Sequence, residues 1–207
     1  MVFIMLINLA WWNIGISPPI KKQKKDKDEA IKIAKNYIKK LSLQRDIDFF
    51  AICEISEDEA ISFKEVSDKL NMTYLNLSDK VGRIIIDIAV MYEGSKLEYM
   101  HHKTIIHPQP NGRNLRVGVR VAFKDTSNDE VITFFLSHWP SMLSATDSIR
   151  DDIATALRYN IDKIYQKYGD SAQIICMGDY NTQPYSTAIH EKRSEERRVG
   201  KECRSRW

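Results

Sequence analysis

Apolar positions along the chain follow two rhythms, short unbroken runs and stripes at helical spacing, and these alternate from the N-terminus to about His190. Val2–Ile16 is an apolar run closed by Pro18-Pro19, the pattern of a strand that ends at a loop. After a lysine-rich stretch at Lys21–Lys27, Ala30, Ile31, Ala34, Tyr37, Ile38 and Leu41 recur on one helical face, with Lys32, Lys35, Lys39 and Lys40 on the other. Ile47–Ile55 predicts a short buried strand. Ser56 and Glu59 then have the spacing of a capping box for a helix running to about Leu70. Further strands are predicted at Thr73–Leu77, Arg83–Tyr92, Leu115–Phe123 and Val131–Trp139, separated by polar or Gly-containing turns. Asp147 is the expected cap of a long helix whose Ile149, Ile153, Leu157, Ile161, Ile164 and Tyr168 form a continuous core stripe. Gln173–Met177 is the last predicted buried strand. The alternation predicts a layered α/β protein.

Length and composition support that picture. The 207 residues fit one domain, 43% apolar content can fill a core, and 10% aromatics argue against disorder. No apolar run reaches the roughly 20 residues needed to cross a bilayer. Met1–Ile16 has no basic n-region and no small-residue cleavage site, so a buried strand is favoured over a signal peptide. Cys53, Cys176 and Cys203 have neither metal-ligand spacing nor the look of a disulfide framework, which leaves the cytoplasm as the default compartment.

The charge of +3 changes the picture only by its location. Residues 193–207 hold six of the 31 basic and three of the 28 acidic residues, which accounts for the whole surplus. That segment has no helical or strand periodicity and resembles the conceptual translation of a sequencing adapter. The sequence thus predicts one domain over residues 1–192 and a non-native tail over 193–207. The bland alternative is a solvated basic tail touching phosphates.

Four polar clusters close apolar strands, where ligands usually bind in layered α/β folds. They are Trp12-Asn13, Cys53-Glu54, Ser137-His138-Trp139-Pro140-Ser141 and Gly178-Asp179-Tyr180-Asn181. Together they offer hard oxygen ligands and one group that transfers protons, a set that suits Mg²⁺. Singly, each has an ordinary structural reading: Asn13 as a turn residue, Glu54 as a cap or ion-pair partner, His138 as a satisfied core histidine, Asp179 and Asn181 as an Asx turn. Their joint appearance in this order is the signal.

The run Gly178-Asp179-Tyr180-Asn181-Thr182-Gln183-Pro184 resembles the Gly-Asp-Phe-Asn-x-x-Pro strand end of the endonuclease/exonuclease/phosphatase superfamily, which has the deoxyribonuclease-I-like fold. Ser137-His138-Trp139-Pro140-Ser141 is similar to its Asn/Ser-His-Trp-Pro-Ser segment. Asn13, Glu54, the Asp87–Tyr92 strand and Arg150 match further recurrent positions, so the resemblance spans roughly residues 4–186. It implies two mixed β-sheets packed face to face and flanked by helices, a four-layer sandwich with its last strands missing.

By the same resemblance Glu54 would hold Mg²⁺ or Mn²⁺, with Asn13 as a ligand or ligand-orienting group. Asp179 would orient or deprotonate water, Asn181 would bind a phosphate oxygen, and His138 would donate to the phosphate or protonate the leaving oxygen. Asp87, Tyr92 and Arg150 would support them. The implied substrate is a phosphoester: nucleic acid, nucleotide, phospholipid or sugar phosphate. One departure stands beside this match. The superfamily's later Ser-Asp-His-type motif is absent, and His190 is not preceded by Ser-Asp. The competing reading is therefore a non-catalytic fragment or a phosphate- or nucleic-acid-binding remnant.

Overall fold

The computed structural model describes residues 6–16, 24–55, 57–109, 112–142 and 145–190. The expected tail lies outside them. Strands β1 (Leu9–Asn13), β2 (Phe49–Cys53), β3 (Thr73–Asn76) and β6 (Ile88–Tyr92) form one mixed sheet in the order β1-β2-β6-β3. Here β1 runs parallel to β2, and β6 antiparallel to both β2 and β3. A second mixed sheet has the order β10-β9-β8-β7, from β7 (Leu97–Pro108), β8 (Asn114–Asp125), β9 (Val131–His138) and β10 (Gln173–Asp179). Only the β10–β9 pair in it is parallel. A small hairpin, β4 (Asp79–Val81) and β5 (Ile84–Ile86), stands apart from both.

Period-two alternation divides the apolar residues between cores. Phe49, Ala51 and Cys53 of β2 face the space between the sheets, where they meet Val90, Phe123, Phe134 and Leu136. Phe50 and Ile52 point the other way, under helices α1 (Lys24–Arg45) and α2 (Glu57–Lys69), whose Ile38 and Phe63 cover them. On the far side, α3 (Asp147–Tyr168) lays Ile153, Leu157 and Ile161 against Val117 and Phe135 of the second sheet. The order is helix, sheet, sheet, helix, as the sequence led one to expect. A one-turn helix, α4 (Thr187–His190), follows β10. Among the described residues no helix is long and apolar enough to cross a membrane.

Several local expectations are corrected. The predicted strand Arg83–Tyr92 breaks at Asp87, and its two parts, β5 and β6, belong to different sheets. Residues 97–108, read as connection, form the twelve-residue strand β7. Its polar positions look to solvent because it lies at the edge of its sheet. Thr146, not Asp147, caps α3, accepting the Ile149 N–H at 3.4 Å. Ser56 lies outside the described residues, and Glu59 is ion-paired with Lys27. Strand β10, expected to be buried, is half-buried along its whole length because it ends its sheet.

Candidate active site

Strand direction gathers the polar clusters at one rim. Because β1 and β2 are parallel in register, with Asn13 opposite Cys53, Asn13 and Glu54 emerge side by side. Because β6 runs antiparallel to β2, with Ile88 opposite Cys53, Asp87 arrives at the same end. In the second sheet Asp179 lies opposite His138 in the parallel pair β10–β9. Five chemistry-bearing residues from five chain segments therefore meet across the ends of both sheets.

The contacts are direct. Asn13 Nδ2 donates to Glu54 Oε1 and to Asp179 Oδ2, each at 3.0 Å, bridging the two sheets. Its amide oxygen accepts the Gly15 N–H at 3.0 Å. Asn13 thus touches both carboxylates through one amide nitrogen. His138 lies between two carboxylates, Nε2 at 3.2 Å from Glu54 Oε1 and Nδ1 at 3.2 Å from Asp87 Oδ1. The side chains of His138 and Asp87 are 8% and 7% exposed, whereas Glu54 is 25% exposed and faces the open side of the rim. Glu54 also adopts φ +59°, a left-handed conformation uncommon outside glycine and characteristic of functional sites.

Asp179 is held from two sides: Oδ2 accepts from Asn13, and Oδ1 accepts the Asn181 backbone N–H at 3.0 Å. Asn181, itself at φ +44°, donates through Nδ2 to the Trp139 carbonyl at 2.9 Å. The Trp139 N–H returns a bond to the Asp179 carbonyl at 2.9 Å, and its indole meets Tyr180 edge-on. These bonds lock the His138 and Asp179 loops together. They also give the Asn181 amide a structural partner.

The rim carries concentrated negative charge. The buried Cys53 thiol below it has its pKa pushed far up, first by burial and then by the fields of Asp87, Glu54 and Asp179, with Arg116 opposing. Such a surplus of carboxylate charge suits a bound cation. Among the described residues no three His, Cys, Asp or Glu side chains form a ready-made metal cage. The donor set fits an ion held chiefly by the Glu54 carboxylate, with water and substrate oxygens completing its shell, the usual habit of Mg²⁺.

Two expected supporting residues lie elsewhere. Tyr92 is opposite Phe49, at the other end of β6, and packs edge-on against Phe123 with centroids 4.8 Å apart. Arg150 is buried in the first turn of α3, where it donates to the Ala145 carbonyl at 2.8 Å and pairs with Asp147. It borders a cavity of about 350 Å³ with Thr182 and Gln183, beside the rim and outside the hydrogen-bonded network. One residue was missed: Arg116 of β8, whose Nη1 lies 3.5 Å from Asp87 Oδ1. The available signal was Gly118, an isolated glycine inside a predicted strand.

Residues 20–203 match the Endonuclease/Exonuclease/phosphatase family. No curated protein matches the sequence. Solved structures with a similar fold include the human Nocturnin catalytic domain, at TM-score 0.65 and 13% identity over 88% of this chain and 67% of that one. A family protein from Bacteroides thetaiotaomicron superposes at 0.67, with 13% identity over 88% and 66% of the respective chains. The mannosyl-6-phosphatase Bt3783 of the same organism superposes at 0.65, with 15% identity over 90% and 71%. The chain therefore spans about two thirds of the length of the first two.

Proposed function

Because the chain belongs to the Endonuclease/Exonuclease/phosphatase family, we propose that its rim hydrolyses phosphoester bonds with Mg²⁺ or Mn²⁺ and an activated water. The observation that carries this reading is the bridge from Asn13 to both Glu54 and Asp179, with His138 against Glu54. Likeness at 13–15% identity speaks for the fold, so the chemistry is argued from the residues.

Phosphoryl transfer asks a protein for alignment and charge stabilisation more than for covalent chemistry. Glu54 would hold the cation, which when bound supplies positive charge against the phosphate oxygens. Asp179 has a hydrogen-bond donor on each oxygen, an arrangement that fixes its orientation. It is the candidate to orient and deprotonate the attacking water. Asp87, against Nδ1 of His138, would fix the ring with Nε2 beside Glu54, from where an Nε2–H would donate to a phosphate or leaving oxygen. Asn181 lies next to Asp179, where turning its amide from the Trp139 carbonyl would offer a donor to phosphate. The substrate class is a phosphoester of nucleic acid, nucleotide, phospholipid or sugar phosphate; the mannosyl-6-phosphatase shows by its name that this fold accommodates the last.

The test is nitrophenol release from bis(p-nitrophenyl) phosphate and p-nitrophenyl phosphate, with Mg²⁺ or with EDTA, by the wild type and Glu54→Ala. Metal-dependent release lost in the variant is expected, and the preferred ester separates diesterase from monoesterase. Phosphate binding without release from either ester would instead establish the non-catalytic reading.

A further inference from the structure

We infer that Arg116 is a positioning residue of this site, acting through Asp87 on His138, and that an irregularity in β8 is what aims it there. The inference rests on the phosphoesterase reading above. Its first support is a break in strand periodicity. Val119, Val121 and Phe123 of β8 face the space between the sheets, whereas Val117 and Leu115 join the cluster under α3. In an unbroken strand, residues two apart share a face, so Val117 and Val119 could not sit in different cores. The pairing with β7 shows why they do: Ile105 is opposite Gly118 and Ile106 is opposite Arg116, which leaves Val117 as an extra residue. Gly118 has φ +149°, and a Cβ there would come 2.3 Å from the Leu136 carbonyl oxygen. Only glycine fits that conformation and that contact.

The consequence is chemical. Without the extra residue Arg116 would share the outer face with Arg120. With it, Arg116 turns inward beneath the rim, 19% exposed, and donates to the Ile85 carbonyl at 2.9 Å. The same Nη1 reaches Asp87 Oδ1 at 3.5 Å, and that oxygen is the one 3.2 Å from His138 Nδ1. The guanidinium therefore grips both the Ile85 carbonyl of β5 and the carboxylate that fixes the histidine. Partners that orient a histidine from behind in metal sites matter about 10- to 100-fold when removed, and the same order is expected here.

The experiment is a double-mutant cycle on the full chain with Arg116→Met, Asp87→Asn and both together, assayed on bis(p-nitrophenyl) phosphate with Mg²⁺. Arg116→Met is expected to lower kcat about 10- to 100-fold with KM within roughly twofold. Arg116→Lys, which keeps the charge, recovers part of the loss. In the Asp87→Asn background Arg116→Met costs little more, because the route runs through Asp87. A raised KM at unchanged kcat, or losses that multiply, overturns the inference. A second readout needs no turnover: ring-¹⁵N spectra of His138 in the substrate-free protein. A changed Nδ1 signal in Arg116→Met supports the inference, and an unchanged one overturns it. If the wild type releases no nitrophenol, the phosphoesterase reading fails and the spectra alone decide whether Arg116 positions His138.

Discussion

Strand β6 is buried throughout, with Asp87 just before its first residue and Tyr92 as its last, yet its two ends stand in different chemistry. At the Asp87 end, His138, Glu54, Asn13 and Asp179 are joined by hydrogen bonds of 3.0–3.2 Å and share an excess of negative charge. At the Tyr92 end, Tyr92, Phe123, Phe49 and Phe134 pack ring on ring, with Phe49 and Phe134 stacked at 4.2 Å. Carboxylates gathered around one asparagine and one histidine repel one another and cost stability unless a positive charge offsets them. An aromatic cluster supplies stability through burial and ring geometry. The sandwich thus separates the end proposed to do chemistry from the end that holds the sheets together, and one buried strand connects them.

If that separation is real, substitutions at the two ends should fail in different ways. His138→Ala should lower turnover about 10²- to 10³-fold, the usual loss for a positioned donor. Chemical denaturation should show its folded state retained. Phe134→Ala should do the reverse, losing about 3–5 kcal/mol of unfolding free energy by denaturant titration. At temperatures where it stays folded, its KM should be unchanged. Gly118→Ala lies between the ends and should harm both, since the added methyl meets the Leu136 carbonyl and the backbone is strained by about 1–3 kcal/mol. Thermal melts and assays of one preparation would show the two losses together.

The smallest expected effect is at Tyr92. Burial, aided by neighbouring Tyr99, raises its phenol pKa, with a hydrogen bond to Thr73 opposing. The folded protein then keeps a proton that the unfolded chain releases above about pH 10, so this group weakens the fold as pH rises past that point. Tyr92→Phe should change stability at neutral pH by less than about 1.5 kcal/mol. Between pH 10 and 11 its unfolding free energy should fall less steeply than that of the wild type.

The rim was legible in sequence because each of its residues lies at or just after the end of an apolar run. Asn13, Glu54, His138 and Asp179 could be placed at strand ends before any pairing was known, and parallel pairing put those ends side by side. Tyr92 was grouped with Asp87 because both belong to the strand that resembles the superfamily's, and such a match does not distinguish the two ends of a strand. The same run concealed the break at Asp87, since Ile84–Ile86 and Ile88–Tyr92 are equally apolar although they serve different sheets. Strand β7 escaped because an edge strand needs little apolar alternation, and His101, His102 and Lys103 all face water. Arg116 escaped for a subtler reason: its direction depends on one extra residue in β8, and that register appears only when β7 is paired against it.

The most direct test of the account is the rate of bis(p-nitrophenyl) phosphate hydrolysis as a function of Mg²⁺ concentration, for the wild type and Glu54→Gln. The wild type should show a saturable rise. Glu54→Gln should need far more Mg²⁺ and remain at least about 100-fold slower. Equal rates in the two proteins at every Mg²⁺ concentration would contradict it, because the rim would then be an arrangement of carboxylates with no part in the chemistry.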